Sequence, residues 1–237
     1  MSQNKVKALV FDVFGTVVDW RTSIIDECKI LGHQKNIDID WPKFVDDWRA
    51  GYRPAMDTIR NDEAKWRVLD ELHLDILLDL IKSYSISLNS EEIIHLNKCW
   101  HRLHPWNDSV NGITRLNSRF ITATLSNGNV SLLTNMAKFA KLPWSCILSA
   151  ELFKHYKPDD EVYKGAANIL DLEPKEVMMV AAHKSDLLAA KSNGLVTAYI
   201  NRPYEFGKYN VEVEDVEKDI DIWASDLESL ADQLECN

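Results

Sequence analysis

Short apolar runs alternate with longer segments of mixed polarity through the second half of the chain. Residues 6–11, 120–125, 146–148, 177–181 and 195–200 are runs of this kind, the pattern expected of strands buried on both faces of a parallel sheet. Between them, 130–140 places Leu132, Leu133, Met136 and Phe139 on or near one helical face, and 161–170 does the same with Val162, Ala166, Ala167 and Ile169. Residues 186–191 read as a third helix. Such alternation predicts an α/β fold with a Rossmann-like, doubly wound parallel sheet, since there are too few units to close a barrel.

The stretch from about residue 19 to 103 has a different texture, with helical spacing and few strand-like runs. Ile24, Ile25, Cys28 and Leu31 recur at helix spacing, as do Trp41, Phe44, Val45 and Trp48, then Trp66, Leu69, Leu72 and Leu77. Residues 91–100 supply another helix after the turn-like Asn89 and Ser90. The predicted organisation is an α/β core of residues 1–18 and 104–237, with residues 19–103 inserted after the first strand as a helical cap over the sheet edge. In the tail, Ile220, Ile222, Trp223 and Ala224 suggest a last strand and 226–234 a closing helix. The acidic stretch 212–217 before them reads as a solvated face.

With 237 residues, 46% of them hydrophobic, the chain can bury a substantial core, which excludes disorder and a minimal disulfide scaffold. A formal net charge of −10 provides no general attraction for nucleic acid or an anionic membrane, so no nucleic-acid or membrane partner is expected. No run approaches the roughly 18 to 20 apolar residues of a spanning helix, and the first residues lack a signal-peptide core. The cysteines, at 28, 99, 146 and 236, form no CxxC pair and read as reduced thiols, so a cytoplasmic protein is expected. His101 and His104 lack a matching acidic pattern and are not assigned as a zinc site.

Function must therefore be sought in a pocket. The first apolar run delivers Asp12 to its carboxyl end, beside the turn-permissive Gly15 and Thr16, where open α/β sheets place their ligands. Together with Leu125-Ser126-Asn127-Gly128, Tyr156-Lys157-Pro158 and Val180-Ala181-Ala182-His183 followed by Asp186, the segment Phe11-Asp12-Val13-Phe14-Gly15-Thr16 resembles the haloacid dehalogenase superfamily, specifically its (S)-2-haloacid dehalogenase branch. The resemblance spans about residues 5–203, and the order and spacing of the segments carry it.

That resemblance implies a core sheet topped by a helical cap, an active site at their junction, and Asp12 as nucleophile. A carboxylate can displace a leaving group in line and leave an ester that water then cleaves. Phosphatases of the superfamily usually carry a second aspartate two residues after the nucleophile, which protonates an alkoxide leaving group; here that position is Phe14, which has no proton to give. A halide needs none. The strand ending near Val180 normally continues, in those phosphatases, into a magnesium-binding aspartate, and here it continues into Ala181, whose methyl cannot ligate a hard cation. A cofactor-free, metal-free mechanism is expected.

Lys157 resembles the superfamily's core lysine, and an ammonium near Asp12 and Asp186 would compensate converging carboxylates. Ser126 and Asn127 are candidates to hold the substrate carboxylate. The same tripeptide recurs at Ser192-Asn193-Gly194, where it reads as a helix end. The resemblance assigns halide binding to a cap arginine; Arg49 is the candidate and Arg53 its rival. Thr16 and Phe14 complete the expected pocket. His183 stands where dehalogenases of this type have a different residue pattern, and it is expected to orient or deprotonate water together with Asp186, or else to bind substrate or close the pocket. Trp20, Trp48, Trp100 and Trp106 are candidate pocket walls, with ordinary helix packing the preferred reading for each.

The expected activity is hydrolysis of short 2-haloalkanoic acids to 2-hydroxy acids through an aspartyl ester, with inversion at carbon 2. Fluoroacetate is compatible with a compact halide pocket. The partners are then a small halogenated carboxylic acid and water, and the helical cap offers a surface for a homodimer. A phosphatase of small phosphorylated metabolites, or a non-catalytic binding protein for small acids, would keep the same fold.

Overall fold

Residues 6–61, 64–208 and 219–237 are described by the structure, a computed structural model. The acidic stretch 212–217 lies outside them. In chain order, β1 (Ala8–Phe11) is followed by β2 (Val18–Asp19) and then by α1 (Trp20–Lys35), α2 (Trp41–Arg60), α3 (Leu69–Ser83) and α4 (Ser90–Asn97). A short 3-10 turn, Lys98–His101, leads to β3 (His104–Pro105) and α5 (Ser109–Asn117). Thereafter strands and helices alternate: β4 (Ile121–Ser126), α6 (Val130–Ala140), β5 (Cys146–Ser149), α7 (Asp160–Ile169), β6 (Val177–Ala181), α8 (Lys184–Ser192) and β7 (Val196–Ile200). The chain closes with β8 (Ile222–Ala224) and α9 (Leu227–Gln233).

The main sheet has the order β5-β4-β1-β6-β7-β8, and each pairing in it is parallel. Alternate residues of a strand feed opposite layers. Leu9, Phe11, Met178 and Val180 join the core shared with Leu116, Leu132, Met136 and Leu230, whereas Val10, Met179 and Ala181 join the layer containing Val162, Tyr163, Ala166 and Leu187. The period-two rule thus puts α5, α6 and α9 on one face and α7 and α8 on the other. From β1 the chain builds outward through β4 and β5, then returns to β6 on the opposite side. The reversal opens a crevice at the carboxyl end of β1, where Asp12 follows Phe11 and donates its N–H to Val180 O at 3.0 Å.

The cap helices begin where side chains satisfy their free N–H groups. Asp19 accepts from Thr22 N, Asp40 from Lys43 N, and Asn89 with Glu92 forms a capping box. On α2, Trp41, Phe44, Val45, Trp48, Tyr52, Met56 and Ile59 are buried, a stripe at helical spacing that packs the cap together and onto the core. The chain leaves and re-enters the sheet layer through an antiparallel ribbon in which Val18 pairs with Pro105 and Asp19 with His104. Two-residue strands leave no periodic trace, so the apolar pattern did not predict this ribbon. The expected helix at 186–191 is longer, beginning at Lys184 with His183 at its N-cap position. Among the described residues no helix is long and apolar enough to cross a membrane.

Candidate active site

Asp12 is 8% exposed, and its two carboxylate oxygens have separate partners. Lys157 Nζ donates to Oδ1 at 3.0 Å; Thr16 Oγ1 donates to Oδ2 at 2.9 Å, and His183 Nδ1 lies 3.1 Å from the same Oδ2. Burial alone would raise this carboxyl, but the charges of Lys157 and His183 and their hydrogen bonds outweigh it and hold Asp12 far below the usual carboxylate range. Thr16 Oγ1 also accepts from Ala182 N–H at 2.8 Å, fixing the turn after β1 against the end of β6.

Lys157, in the loop between β5 and α7, reaches a second carboxylate: its Nζ lies 2.5 Å from Asp186 Oδ2. Burial works against its charge, yet Asp12 and Asp186 together push its pKa above the ordinary lysine value. Tyr163 O–H donates to the other Asp186 oxygen at 2.6 Å. Asn127 Oδ1 accepts from Lys157 N–H at 2.7 Å, so the end of β4 positions the lysine loop. The ammonium is therefore held from its own backbone and by both carboxylates.

The His183 ring bridges two acids, because its Nε2 lies 3.0 and 3.2 Å from the carboxylate oxygens of Glu205. Glu205 is 3% exposed, and Trp20 Nε1 donates to it at 3.0 Å. Burial opposes the imidazolium, but Glu205 and Asp12 dominate and raise His183 to about 10. His183 and Asp186, expected to act together on one water, have separate side-chain partners. Their backbones share a turn, but the imidazole points to Asp12 and Glu205 while Asp186 is engaged by Lys157 and Tyr163.

A cavity of about 230 Å³ opens above these groups. Its floor contains Asp12, Asn127, Lys157, His183 and Asp186; its roof comes from α2, through Arg49, Tyr52, Arg53, Met56 and Arg60. Those roof positions recur every three or four residues and so share one helix face. The volume lies below the roughly 300 Å³ at which drug-sized pockets begin, which suits a ligand of a few heavy atoms. A larger open groove of about 970 Å³ runs alongside and shares Arg60 and Pro158, but it contains none of the converging carboxylates at the floor.

Arg49 lies over the Tyr52 ring at 4.2 Å and within 5.6 Å of the Trp20 ring, and its Nε is buried without a hydrogen-bond partner among the described residues. Arg53 has a side chain 77% exposed and lies 3.8 Å from Asp57. Of the two rivals, the held guanidinium is Arg49. Phe14 is 5% exposed, forms part of the cavity wall and packs edge-on against Trp100 at 5.7 Å.

Two expected contacts lie off the cavity wall. Ser126 is fully buried and its Oγ accepts from Gly128 N–H at 3.3 Å, so it braces the turn after β4. Thr16 touches Asp12 from below, where the fold of the β1 turn directs its hydroxyl. Trp20, Trp48 and Trp100 are buried in packing, and Trp106 Nε1 donates to Gly15 O at 2.8 Å. His101 faces Asp70 at 2.9 Å, and among the described residues no group of three or more His, Cys, Asp or Glu could hold a metal ion.

Glu205 and Tyr163 escaped the sequence reading. Tyr163 sits within the helix expected at 161–170 but next to, and not among, the apolar positions that marked it, and Glu205 stands in the irregular stretch after β7 with no pattern around it. Tyr52, Met56 and Arg60 were findable, since they follow Arg49 at helical spacing.

The profile of the haloacid dehalogenase-like hydrolases matches residues 6–194. The chain is 28% identical over 211 residues to (S)-2-haloacid dehalogenase 1 of Pseudomonas sp. (strain CBS-3), covering 83% of this chain and 85% of that one. It is 27% identical to (S)-2-haloacid dehalogenase 4A of Burkholderia cepacia, over 89% and 91% of the two chains. Among solved structures, it superposes on the L-2-haloacid dehalogenase PA0810 with a TM-score of 0.91 and 43% identity, covering 97% and 99% of the two chains. For the defluorinating L-2-haloacid dehalogenase Rha0230 the TM-score is 0.93 and the identity 41%, over 98% and 96%.

Proposed function

The chain belongs to the haloacid dehalogenase-like hydrolases, and from that membership and the geometry of its site we propose that it hydrolyses short (S)-2-haloalkanoic acids to 2-hydroxy acids through an ester on Asp12. Residues 19–103 act as the cap that supplies the cavity roof. The observation that carries this reading is a buried, doubly paired carboxylate facing an arginine across a small cavity walled by Phe14. Four unpaired cysteines support a reducing, cytoplasmic setting.

In the first step the substrate carboxylate lies toward Lys157 and Asn127 and the halogen toward Arg49. An Asp12 oxygen attacks carbon 2 from behind as the carbon–halogen bond breaks, and the halide leaves with the electron pair. Arg49 stabilises the charge as it develops, with Tyr52 limiting hydration around it. Phe14 donates nothing and needs to donate nothing. In the second step water attacks the ester carbonyl from the His183 side, restoring Asp12 and releasing the hydroxy acid with one inversion at carbon 2. The small cavity also suits fluoroacetate, in keeping with the likeness to the defluorinating L-2-haloacid dehalogenase Rha0230.

The test is halide release from chloroacetate, fluoroacetate and each enantiomer of 2-chloropropionate, with and without a chelator, by the wild type and Asp12→Asn. Chelator-insensitive release that Asp12→Asn abolishes, with oxygen from ¹⁸O water appearing in Asp12, is the expected result. Chelator-sensitive phosphate release without halide release would overturn it.

A further inference from the structure

Ester cleavage needs a group that takes a proton from water, and His183 in the free enzyme has no lone pair to offer. Both ring nitrogens face carboxylates, Nδ1 toward Asp12 at 3.1 Å and Nε2 toward Glu205 at 3.0 Å. Carboxylates only accept, so both nitrogens carry hydrogen and the ring is an imidazolium; its raised pKa of about 10 agrees. As it stands it can pair with Asp12 but cannot act as a base.

Esterification changes one of those two partners. When Asp12 becomes an ester its negative charge is gone, while Glu205 stays buried and fixed by the Trp20 N–H. Gly15 keeps the space open, because a Cβ there would lie 2.1 Å from Glu205 Oε1. We propose, on the basis of the dehalogenase reading above, that Glu205 is a positioning residue that holds His183 against the nucleophile, so that loss of the Asp12 charge converts the ring from ion-pair partner to base for the ester step.

The step balances. With Asp12 esterified and halide gone, His183 releases its Nδ1 proton to solvent through the cavity. Nδ1 then takes a proton from the water whose oxygen bonds to the Asp12 carbonyl carbon. The tetrahedral intermediate expels the substrate oxygen, and its hydroxyl proton passes to that oxygen. Asp12 is again a carboxylate, His183 again an imidazolium, and each turnover has consumed one water and released one halide and one proton.

The charged groups facing His183 are Asp12 from the end of β1 and Glu205 from beyond β7. Lys157, Asp186 and, from α2, Arg49, Arg53, Asp57 and Arg60 share the cavity wall with it. Of these, Asp12 is the group whose charge the reaction itself removes.

Rapid-quench single turnovers of 2-chloropropionate by the full chain, with halide, Asp12 ester mass and proton release followed separately, test this. In the wild type at pH 8 one proton appears with the halide, before the ester decays. In Glu205→Gln the rising limb of ester hydrolysis moves to lower pH by about one unit or more, because one anion facing the ring is lost. Its plateau falls about tenfold or more, so ester accumulates. Glu205→Asp keeps the charge and holds the limb near its wild-type position. A Glu205→Gln limb that does not move, at whatever rate, overturns the proposal, and so does a wild-type proton that appears only as the ester decays. If Glu205→Gln does not fold, the proton timing in the wild type still decides. A wild type that forms no Asp12 ester overturns the dehalogenase reading instead.

Discussion

Replacing Lys157 with methionine removes a cation of similar length from between two carboxylates. Its side chain is 7% exposed and its Nζ lies 3.0 Å from Asp12 and 2.5 Å from Asp186. At an effective dielectric of about 20, the Asp12 pair alone is worth on the order of 5 kcal/mol of attraction, set against several kcal/mol of desolvation per ion. Breaking a buried pair by deleting one partner costs about 3–5 kcal/mol, whereas a solvated surface pair costs about 0–1 kcal/mol. The buried value is expected. The pH dependence follows from Asp12, whose depressed pKa means that its stabilising contribution is present above the unfolded value of about 3.9 and lost only as pH falls through the lower native value. Without Lys157, burial pushes this carboxyl upward with His183 as the main opposition, so the variant binds a proton at a pH where the wild type does not. The stability difference is therefore largest near neutrality and shrinks on acidification. Urea unfolding of both proteins between pH 5 and 8 measures it. A difference below about 1 kcal/mol, or one that grows toward acid, refutes the buried ion-pair account. Halide release by the same variant should fall by about 10²-fold or more.

Arg49→Lys should lower kcat/KM for halide release by about 10²–10³-fold, since a lysine cannot reproduce the guanidinium plane lying 4.2 Å over Tyr52. Arg53→Lys should cost far less, and steady-state kinetics showing equal losses would reverse the assignment. His183 has a raised native pKa, so its stabilising contribution is complete below the unfolded value of about 6.5 and is lost as pH rises through about 10. The stability gap between wild type and His183→Gln should narrow over that window in urea titrations, and a gap that widens would contradict the imidazolium. Gly15→Ala places a methyl 2.1 Å from Glu205 Oε1 on a backbone with φ +82°, and should destabilise the protein by about 1–3 kcal/mol in urea unfolding, with no measurable change telling against the packing described here.

Much of the fold was legible because strands buried on both faces leave continuous apolar runs, and amphipathic helices leave recurrences every three or four residues. These patterns located β1 and β4 to β8 to within a few residues. The linking ribbon at Val18–Asp19 and His104–Pro105 was not legible, because two residues are too few to show a period. In the site, Asp12 and Lys157 were readable as motifs, and the structure brings them within hydrogen-bonding distance across 145 positions of sequence. The turn shared by His183 and Asp186 was also readable, but the divergence of their side chains was not.

By itself the sequence determined which chemical groups exist and where local periodicity puts them: a carboxylate at a strand end, a phenyl ring at Phe14, a lysine in a loop, and an arginine on an amphipathic helix. The tertiary structure decided which groups meet. Glu205 reaches His183, and Tyr163 reaches Asp186, only because the order of parallel strands brings the ends of β1, β6 and β7 to one crevice and sets α7 beside α8. Likewise Arg49 is held over the Tyr52 and Trp20 rings while Arg53, one turn further along the same face of α2, stays largely exposed beside Asp57, because only the folded chain brings Trp20 up to Arg49. Secondary structure responds to neighbours a few residues away, whereas the charge state of a buried ring depends on partners that only the folded chain supplies.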